Sequence, residues 1–177
     1  VAFDVIGDIV LSAASQQYGG FTVPEVDKLL APYAEKTYVQ NKARYLEMGL
    51  SEETAERETI KDVQRDYEQG FQGWEYKFNT VASSRGDYPF ITVTAGIGTG
   101  RFAKLATISL LNVRRRGQGK KECKKPVLFP KIVFLYDENL HGPGKPLEDV
   151  FEAGVECSAK TMYPDWLSLT GKGYVAS

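Results

Sequence analysis

The sequence has few of the residues on which enzymes most often build their chemistry. It contains a single histidine, His141, and two cysteines, Cys123 and Cys157. A lone histidine with no motif around it and no convincing serine or cysteine neighbour does not form a catalytic triad. The spacing of the two cysteines matches no zinc pattern, and two are too few for a disulfide framework. This cysteine usage suits a reducing cytoplasm.

The sequence also lacks a charge excess and a long apolar run. Its net charge is -1, so no overall field favours binding to nucleic acid or to a membrane surface. No apolar run approaches the roughly 18 residues of a membrane span, and no signal peptide is visible. The 177 residues, 42% of them hydrophobic, suit one domain with its own core.

The first part of the sequence is predicted to be helical. Apolar residues recur at helical spacing over 1–18, and the glycine pair at 19–20 suits the end of that helix. Thr22 and Glu25 fit a capping box that begins a second helix. Pro32 is expected to kink or restart this second helix soon afterwards.

Two more helices are predicted before the character of the sequence changes. One covers 36–48, and Ser51 caps a long one that runs to about Phe78. The exposed face of the long helix is charged, and the other carries the apolar stripe Ile60, Val63, Tyr67, Phe71, Trp74 and Phe78. We interpret this stripe as core packing, with an aromatic platform for nucleobases as the alternative.

The second part of the sequence alternates strands and helices. β-Branched residues over 89–95 predict a strand, and helices are predicted over 102–116 and 147–159. The continuous apolar run 127–136 predicts a strand buried on both faces, as in a parallel sheet or a barrel. Pro130 inside that run indicates a bulge or an edge position.

Four features of this second part bear on function. The run Gly-Ile-Gly-Thr-Gly at 96–100 resembles a phosphate loop, but Arg101 stands where a dinucleotide fingerprint needs its third glycine, which favours a simple strand-to-helix turn. The basic run 114–125 is interpreted as a solvated loop, with a patch that attracts polyphosphate as the alternative. His141 is expected to be exposed rather than catalytic. Cys157 is expected to be a small buried helix residue.

Several blocks of sequence are similar, in order, to the catalytic domain of anaerobic (class III, oxygen-sensitive) ribonucleoside-triphosphate reductases. The central block is Asn79-Thr-Val-Ala-Ser-Ser-Arg-Gly-Asp-Tyr-Pro-Phe90. The others are Ser15-Gln-Gln-Tyr-Gly-Gly-Phe-Thr-Val-Pro24, Leu30-Ala-Pro-Tyr33, Phe129-Pro-Lys-Ile-Val-Phe134, Glu156-Cys-Ser-Ala-Lys-Thr-Met-Tyr-Pro-Asp165 and Gly173-Tyr-Val-Ala-Ser177. Ordered blocks over almost the whole chain are a more specific signal than any single motif.

The resemblance implies an α/β fold, namely a fragment of the ten-stranded α/β barrel of the glycyl-radical and ribonucleotide reductase type. Residues 1–78 form its helical N-terminal half, and residues 79–177 supply barrel strands with their helices. Both belong to one partial catalytic domain. Because the sequence begins with valine in mid-helix and ends where an apolar segment begins, we expect both ends to be truncated.

The implied parent enzyme converts ribonucleoside triphosphates to deoxyribonucleoside triphosphates for DNA synthesis. In this family a glycyl radical passes to a cysteine inside the barrel, and the thiyl radical abstracts the ribose 3′ hydrogen. A second cysteine assists the reduction, with formate or a thiol system as reductant. All three radical-chemistry residues are expected outside this chain. Neither Cys123 nor Cys157 is therefore assigned to catalysis, and the chain alone is expected to be inactive.

The resemblance also implies cofactors and partners. These are a glycyl radical, nucleoside triphosphate effectors including ATP, a C-terminal zinc site in the full-length parent, and an iron–sulfur activating enzyme that uses S-adenosylmethionine. The parent is expected to be a cytoplasmic, allosterically regulated homodimer. We expect no metal site within the chain, and neither a membrane nor nucleic acid as a partner.

Two groups of residues are candidates for nucleotide contacts. The first group lies just before a predicted barrel strand and consists of Ser83, Ser84, Arg85 and Gly86. Its hydroxyl, guanidinium and backbone N–H groups can donate hydrogen bonds to the substrate phosphates. The alternative is that these residues connect a turn to the barrel rim. If the first helices correspond to the family's effector site, the base and phosphate contacts are Gln16, Gln17 and Lys42.

Two other functions remain open at this point. One is a different glycyl-radical enzyme, similar to a formate lyase and acting on small acids. The other is a non-enzymatic α/β module that binds RNA or another polyanion through the basic loop 114–125.

Overall fold

The computed structural model describes residues 2–81, 86, 88–120 and 122–171 of the chain. The described residues form six helices and four strands, which we number in chain order. They are α1 (Ala2–Ser15), β1 (Phe21–Val23), α2 (Val26–Glu47), α3 (Glu52–Thr80), β2 (Ile91–Ala95), α4 (Arg101–Arg116), β3 (Lys131–Tyr136), α5 (Glu138–His141), α6 (Glu148–Thr161) and β4 (Asp165–Ser168).

The four strands form one parallel sheet in the order β1-β2-β3-β4. Each strand therefore pairs with its successor in sequence, and helices make every connection between neighbours, as parallel pairing requires. All four strands begin at the same end of the sheet, which we call the amino edge, and all end at the opposite carboxyl edge. The chain is a mixed α/β protein, as the sequence predicts.

The two faces of the sheet differ in what covers them. One face packs into the two hydrophobic clusters formed with the helices, through Val23, Ile91, Val93, Ala95, Ile132 and Phe134. Because side chains alternate along a strand, the other face carries Thr22, Thr92, Thr94, Lys131, Val133 and Asp165, which are half-buried or exposed. An ion pair with Nζ and Oδ2 2.7 Å apart joins Lys131 to Asp165 on this open face.

Helix α3 is the longest helix among the described residues, and it forms as predicted. Ser51 caps it by accepting a hydrogen bond from the Thr54 N–H at 3.3 Å. Its apolar stripe is core packing, with five of six members buried, namely Val63, Tyr67, Phe71, Trp74 and Phe78. No described helix has both the length and the apolar character needed to cross a membrane.

The predicted capping box at Thr22 is wrong. Thr22 lies in β1, where it pairs with Thr92, and α2 begins only at Val26. Glu25 precedes that helix in a left-handed conformation with φ of 46°, and its N–H donates to Thr94 Oγ1 at 2.8 Å. Pairing with a distant strand has overridden the local helix signal.

Helix α2 is one helix rather than two. It continues from Val26 to Glu47 through Pro32, although proline removes a backbone donor from a helix interior. Leu30 and Ala34, on either side of Pro32, are buried in the main cluster. We attribute the continuity of the helix to this packing.

The last two strands also depart from the predictions. β3 begins at Lys131 rather than 127, because Pro130 lies immediately before the strand instead of forming a bulge within it. β3 is also an interior strand, between β2 and β4, and not an edge. The four exposed residues of β4 (Asp165–Ser168) were not predicted as a strand.

Candidate functional site

The loop of residues 96–100 lies at the carboxyl edge of the sheet. β2 ends at Ala95, and residues 96–100 connect it to the first turn of α4. β3 ends beside it and continues into the short helix α5. Parallel α/β proteins bind their ligands at this edge, which makes the 96–100 loop a candidate ligand-binding loop.

The Asp27 carboxylate binds backbone N–H groups of the 96–100 loop. This carboxylate is fully buried in the first turn of α2, and its Oδ2 accepts hydrogen bonds from the Gly96 N–H at 3.1 Å and the Gly98 N–H at 2.8 Å. The Thr107 hydroxyl approaches the same oxygen at 3.5 Å. The other oxygen, Oδ1, has no hydrogen-bond partner among the described residues.

This contact decides between the two interpretations of the glycine run. A phosphate loop uses its backbone N–H groups to bind an anion, and here an internal carboxylate already occupies two of them. Gly98 also cannot carry a side chain without rearrangement, since a Cβ atom there would lie 2.5 Å from Ala103 Cβ and 2.9 Å from Asp27 Oδ2. The run is a strand-to-helix turn, as predicted.

His141 makes a second contact with the same loop, through a backbone carbonyl. Its Nε2 lies 2.7 Å from the Gly96 carbonyl oxygen, and its Nδ1 lies 3.0 Å from the Asp137 backbone nitrogen. Nε2–H can donate to the Gly96 carbonyl while Nδ1 accepts from the Asp137 N–H, and Nδ1 also lies 3.0 Å from the Asp137 carbonyl oxygen. The histidine therefore ties the end of β2 to the end of β3.

The expectation that His141 is exposed is wrong. It is buried at 2% exposure, with the rings of Phe134 and Tyr136 centred 5.1 Å and 5.4 Å from the imidazole. The residue closes α5, which turns the chain back over the end of β3. Glycine and proline after His141 suggest an open loop, but the aromatic residues of β3 before it form a pocket for the ring.

The amino edge is held by a buried ion pair. Arg114 Nε donates to Glu75 Oε1 at 2.8 Å, and both side chains are at most 1% exposed. Arg114 Nη2 also donates to the Pro130 carbonyl at 2.5 Å, and its guanidinium lies 4.8 Å from the centre of the Tyr163 ring. These contacts join helices α3 and α4 to the chain just before β3 and β4. Burial raises the pKa of the Glu75 carboxyl, and Arg114 offsets part of that rise.

The arginines of the basic run are neutralised by carboxylates. Besides Arg114, Arg115 pairs with Glu156, and Arg116 Nη2 lies 2.7 Å from Glu68 Oε1. The exposed positive charge of the run is therefore carried by lysines in the loop after α4, among them Lys120, Lys124 and Lys125. This distribution favours the interpretation of a solvated loop over a polyphosphate patch.

The predicted substrate-phosphate residues fall mostly outside the described residues. This applies to Ser83, Ser84 and Arg85. Gly86 is described, is exposed and has φ of 83°, a conformation that favours glycine.

The three effector candidates lie in two separate segments of the chain. Gln16 and Gln17 are exposed just beyond the end of α1. Lys42 projects from α2, and its Nζ pairs with Glu52 Oε1 at 2.6 Å and with Glu56 Oε2 at 3.1 Å. No hydrogen bond between described residues connects either glutamine to this lysine.

Glu56 is the centre of the charged network around Lys42. Its carboxylate accepts hydrogen bonds from the Tyr38 hydroxyl, from Arg101 at 2.5 Å and from Lys42. These donors lower the pKa of Glu56 from its usual 4.5 to about 2, and hydrogen bonds to Glu52 and Glu56 raise the pKa of Lys42. A phosphate that binds Lys42 therefore competes with two carboxylates already in place.

Neither cysteine lies at the carboxyl edge. Cys157 is fully buried in α6, as predicted, and burial raises the pKa of its thiol. Cys123 is exposed in the loop between α4 and β3. Within the part of the chain that the structure covers, no group of three His, Cys, Asp or Glu side chains is arranged to hold a metal ion.

The fold and this edge define a parallel α/β protein of the kind that binds ligands beyond the carboxyl ends of its strands. The family model of the anaerobic ribonucleoside-triphosphate reductase matches residues 1–176. The chain therefore belongs to the anaerobic ribonucleoside-triphosphate reductase family.

Individual relatives carry the same name. The chain is 36% identical over 172 residues to the anaerobic ribonucleoside-triphosphate reductase of Enterobacteria phage T4, a match that covers 95% of this chain and 27% of that protein. It is 35% identical over 167 residues to the one of Escherichia coli (strain K12), covering 93% of this chain and 23% of that protein. The chain thus spans about a quarter of the length of these relatives.

Proposed function

We propose that the protein to which this segment belongs reduces ribonucleoside triphosphates to deoxyribonucleoside triphosphates under anaerobic conditions. The observation that carries the proposal is the family match over residues 1–176. The similar proteins of phage T4 and Escherichia coli bear the name of this activity. Membership of this family favours the reductase over a formate-lyase-like enzyme or a polyanion-binding module.

The parallel sheet is proposed to be part of the wall of a ten-stranded α/β barrel. Its strands follow one another in chain order, and helices pack against one face. Parallel sheets are normally covered on both faces, whereas here Thr92, Thr94 and Lys131 line an open one. In a closed barrel this polar face would point into the lumen, toward the nucleotide.

The radical chemistry is proposed to use residues outside this segment. A glycyl radical would form a thiyl radical on a cysteine, which takes the 3′ hydrogen of the ribose, and a second cysteine would assist reduction. Neither Cys123 nor Cys157 suits these roles, because neither stands at the carboxyl edge. An iron–sulfur activating enzyme that uses S-adenosylmethionine, nucleoside triphosphate effectors, a zinc site elsewhere in the parent and a homodimer complete the proposal.

The nucleotide contacts within the segment remain proposals at the residue level. Ser83, Ser84, Arg85 and Gly86 have the donor groups for a substrate phosphate. Gln16, Gln17 and Lys42 are proposed for an effector, and the pairing of Lys42 with Glu52 and Glu56 predicts that effector affinity at this lysine depends on displacing carboxylates.

The proposal is tested with the full-length protein under strict anaerobiosis. After the activating enzyme and S-adenosylmethionine have installed the radical, we expect each ribonucleoside triphosphate to yield its deoxyribonucleotide, measured by chromatography. Formate and a thioredoxin system are supplied in parallel as reductants. Absence of deoxyribonucleotide with both reductants, while electron paramagnetic resonance shows a glycyl radical, would contradict the proposed function.

A further inference from the structure

We propose that Asp27 and His141 are positioning residues for the nucleotide substrate, which act by fixing the shape of the 96–100 loop at the carboxyl edge. The inference rests on the proposed function, because it assigns the loop to the substrate side of the reductase. Neither side chain reaches the substrate itself in this account. Both act through backbone groups of the loop.

The loop is held by buried groups from two separate elements. Asp27, at the start of α2, binds the Gly96 and Gly98 N–H groups, and His141, at the end of α5, binds the Gly96 carbonyl. Gly96 is therefore fixed at both its donor and its acceptor. Its φ of 125° is a conformation that side-chain-bearing residues rarely adopt.

The loop is rigid because the two side chains that bind it, Asp27 and His141, are both buried. Moving the loop away would leave the Asp27 carboxylate, which is 0% exposed, without its amide partners in the interior. An unpaired buried charge is strongly unfavourable. The loop therefore has one favoured conformation before any ligand arrives, which is what a preorganised binding surface requires.

The part of the loop that this arrangement presents to solvent is small and polar. Thr99 and Gly100 are exposed, and their backbone N–H groups and the Thr99 hydroxyl make no hydrogen bonds to other described residues. The first turn of α4, which follows immediately, contains no acidic residue, and its Arg101 is paired with the Glu56 carboxylate. Exposed donors that have no partner among the described residues, and no bulky side chains, suit close approach of a polar ligand to the backbone.

The test compares two substitutions of His141 in the full-length, radical-loaded protein. In His141→Gln the amide nitrogen takes the place of Nε2, so the donor to the Gly96 carbonyl is kept. In His141→Asn the shorter side chain keeps the contact with Asp137 and loses the one with Gly96. Comparing the two variants therefore separates the contact of residue 141 with the Gly96 carbonyl from its contact with Asp137.

We expect kcat/KM per glycyl radical to stay close to the wild-type value in His141→Gln. In His141→Asn it should fall by about 10- to 100-fold, the usual cost of misplacing a substrate-contacting group by an ångström or so. Equilibrium binding of a ribonucleoside triphosphate, measured without the radical, should weaken in the same variant. A purely structural role would lower thermal stability or radical yield and leave both of these quantities unchanged.

Asp27→Asn provides an independent arm if the histidine variants fold poorly. It keeps an acceptor oxygen and the side-chain shape, so we expect a folded protein whose kcat/KM lies between those of the wild type and His141→Asn. Wild-type kcat/KM and affinity in both His141→Asn and Asp27→Asn would overturn the inference, as would an equal loss in His141→Gln and His141→Asn. A wild-type protein that carries the radical and makes no deoxyribonucleotide would instead overturn the proposed function.

Discussion

The two edges of the sheet are both held by buried charged side chains, but the charges are compensated in different ways. At the amino edge, Arg114 and Glu75 form an ion pair with each other. At the carboxyl edge, the Asp27 carboxylate has no cationic partner among the described residues and is stabilised by backbone N–H groups of a loop. The ion pair therefore joins secondary-structure elements, whereas the Asp27 carboxylate fixes the shape of a surface loop.

The two contacts have different consequences for function because they fix different parts of the backbone. The ion pair fixes the points where β3 and β4 begin, through the Pro130 carbonyl and the Tyr163 ring. Such a contact serves stability, as is usual for the amino-terminal side of parallel α/β folds. The carboxylate instead fixes a loop whose outer residues, Thr99 and Gly100, meet solvent. That arrangement is suited to ligand binding.

The largest effect is expected from breaking the ion pair at the amino edge. Arg114→Met leaves Glu75 buried with no cation, and loss of one partner of a buried pair costs about 3–5 kcal/mol. We expect a lower midpoint in urea denaturation and faster hydrogen exchange over 127–136. The Glu75→Gln/Arg114→Met double variant should recover part of the loss, since it no longer buries a charge. A double variant less stable than Arg114→Met would contradict this account.

A smaller effect is expected from removing the Asp27 carboxylate that binds the 96–100 loop. Asp27→Ala leaves the Gly96 and Gly98 N–H groups without their acceptor, at about 1–3 kcal/mol for each buried donor left unpaired, but it also removes a buried carboxylate, and this offsets part of the loss. Faster hydrogen exchange should be confined to the loop and to the start of α4. Thr99→Ala, on the outer side of the same loop, is the matched control and should leave exchange unchanged. Equal exchange in the two variants would show that Asp27 does not hold the loop.

The smallest effect is expected in the partly exposed network around Glu56. The folded-state pKa of Glu56 lies below its usual 4.5, at about 2. Its contribution to stability is therefore complete above pH 4.5 and is lost as the pH falls toward 2. Glu56→Gln should remove this acid-dependent part of the thermal midpoint while melting near neutral pH changes little. An unchanged pH profile in this variant would contradict the assignment.

Sequence reasoning succeeded where the signal is local. The Ser51 cap and the apolar stripe of α3 lie within one helix, so spacing alone predicts them. It failed at Thr22, because β1 exists only by pairing with Ile91–Val93. The polar contacts that hold the edges were also missed, since the loop N–H groups that Asp27 binds are 69 and 71 residues away in sequence.

One of the missed residues did carry a usable signal. Glu75 stands four residues after Phe71 and three before Phe78, on the buried face of α3. A glutamate at such a position predicts a buried cation elsewhere in the fold. The basic run 114–125 contained that cation, Arg114, which was interpreted with its neighbours as part of the basic run. Sequence spacing could not single it out from Arg115 and Arg116.

Hydrogen exchange of the full-length protein with and without a saturating ribonucleoside triphosphate tests the difference between the edges most directly. If the carboxyl edge faces the nucleotide, amides of residues 96–104 will exchange more slowly in the presence of the nucleotide. Amides of residues 127–131 at the amino edge will be unchanged. Protection of residues 127–131 without protection of residues 96–104, or no change at either edge under saturating binding, would contradict the account.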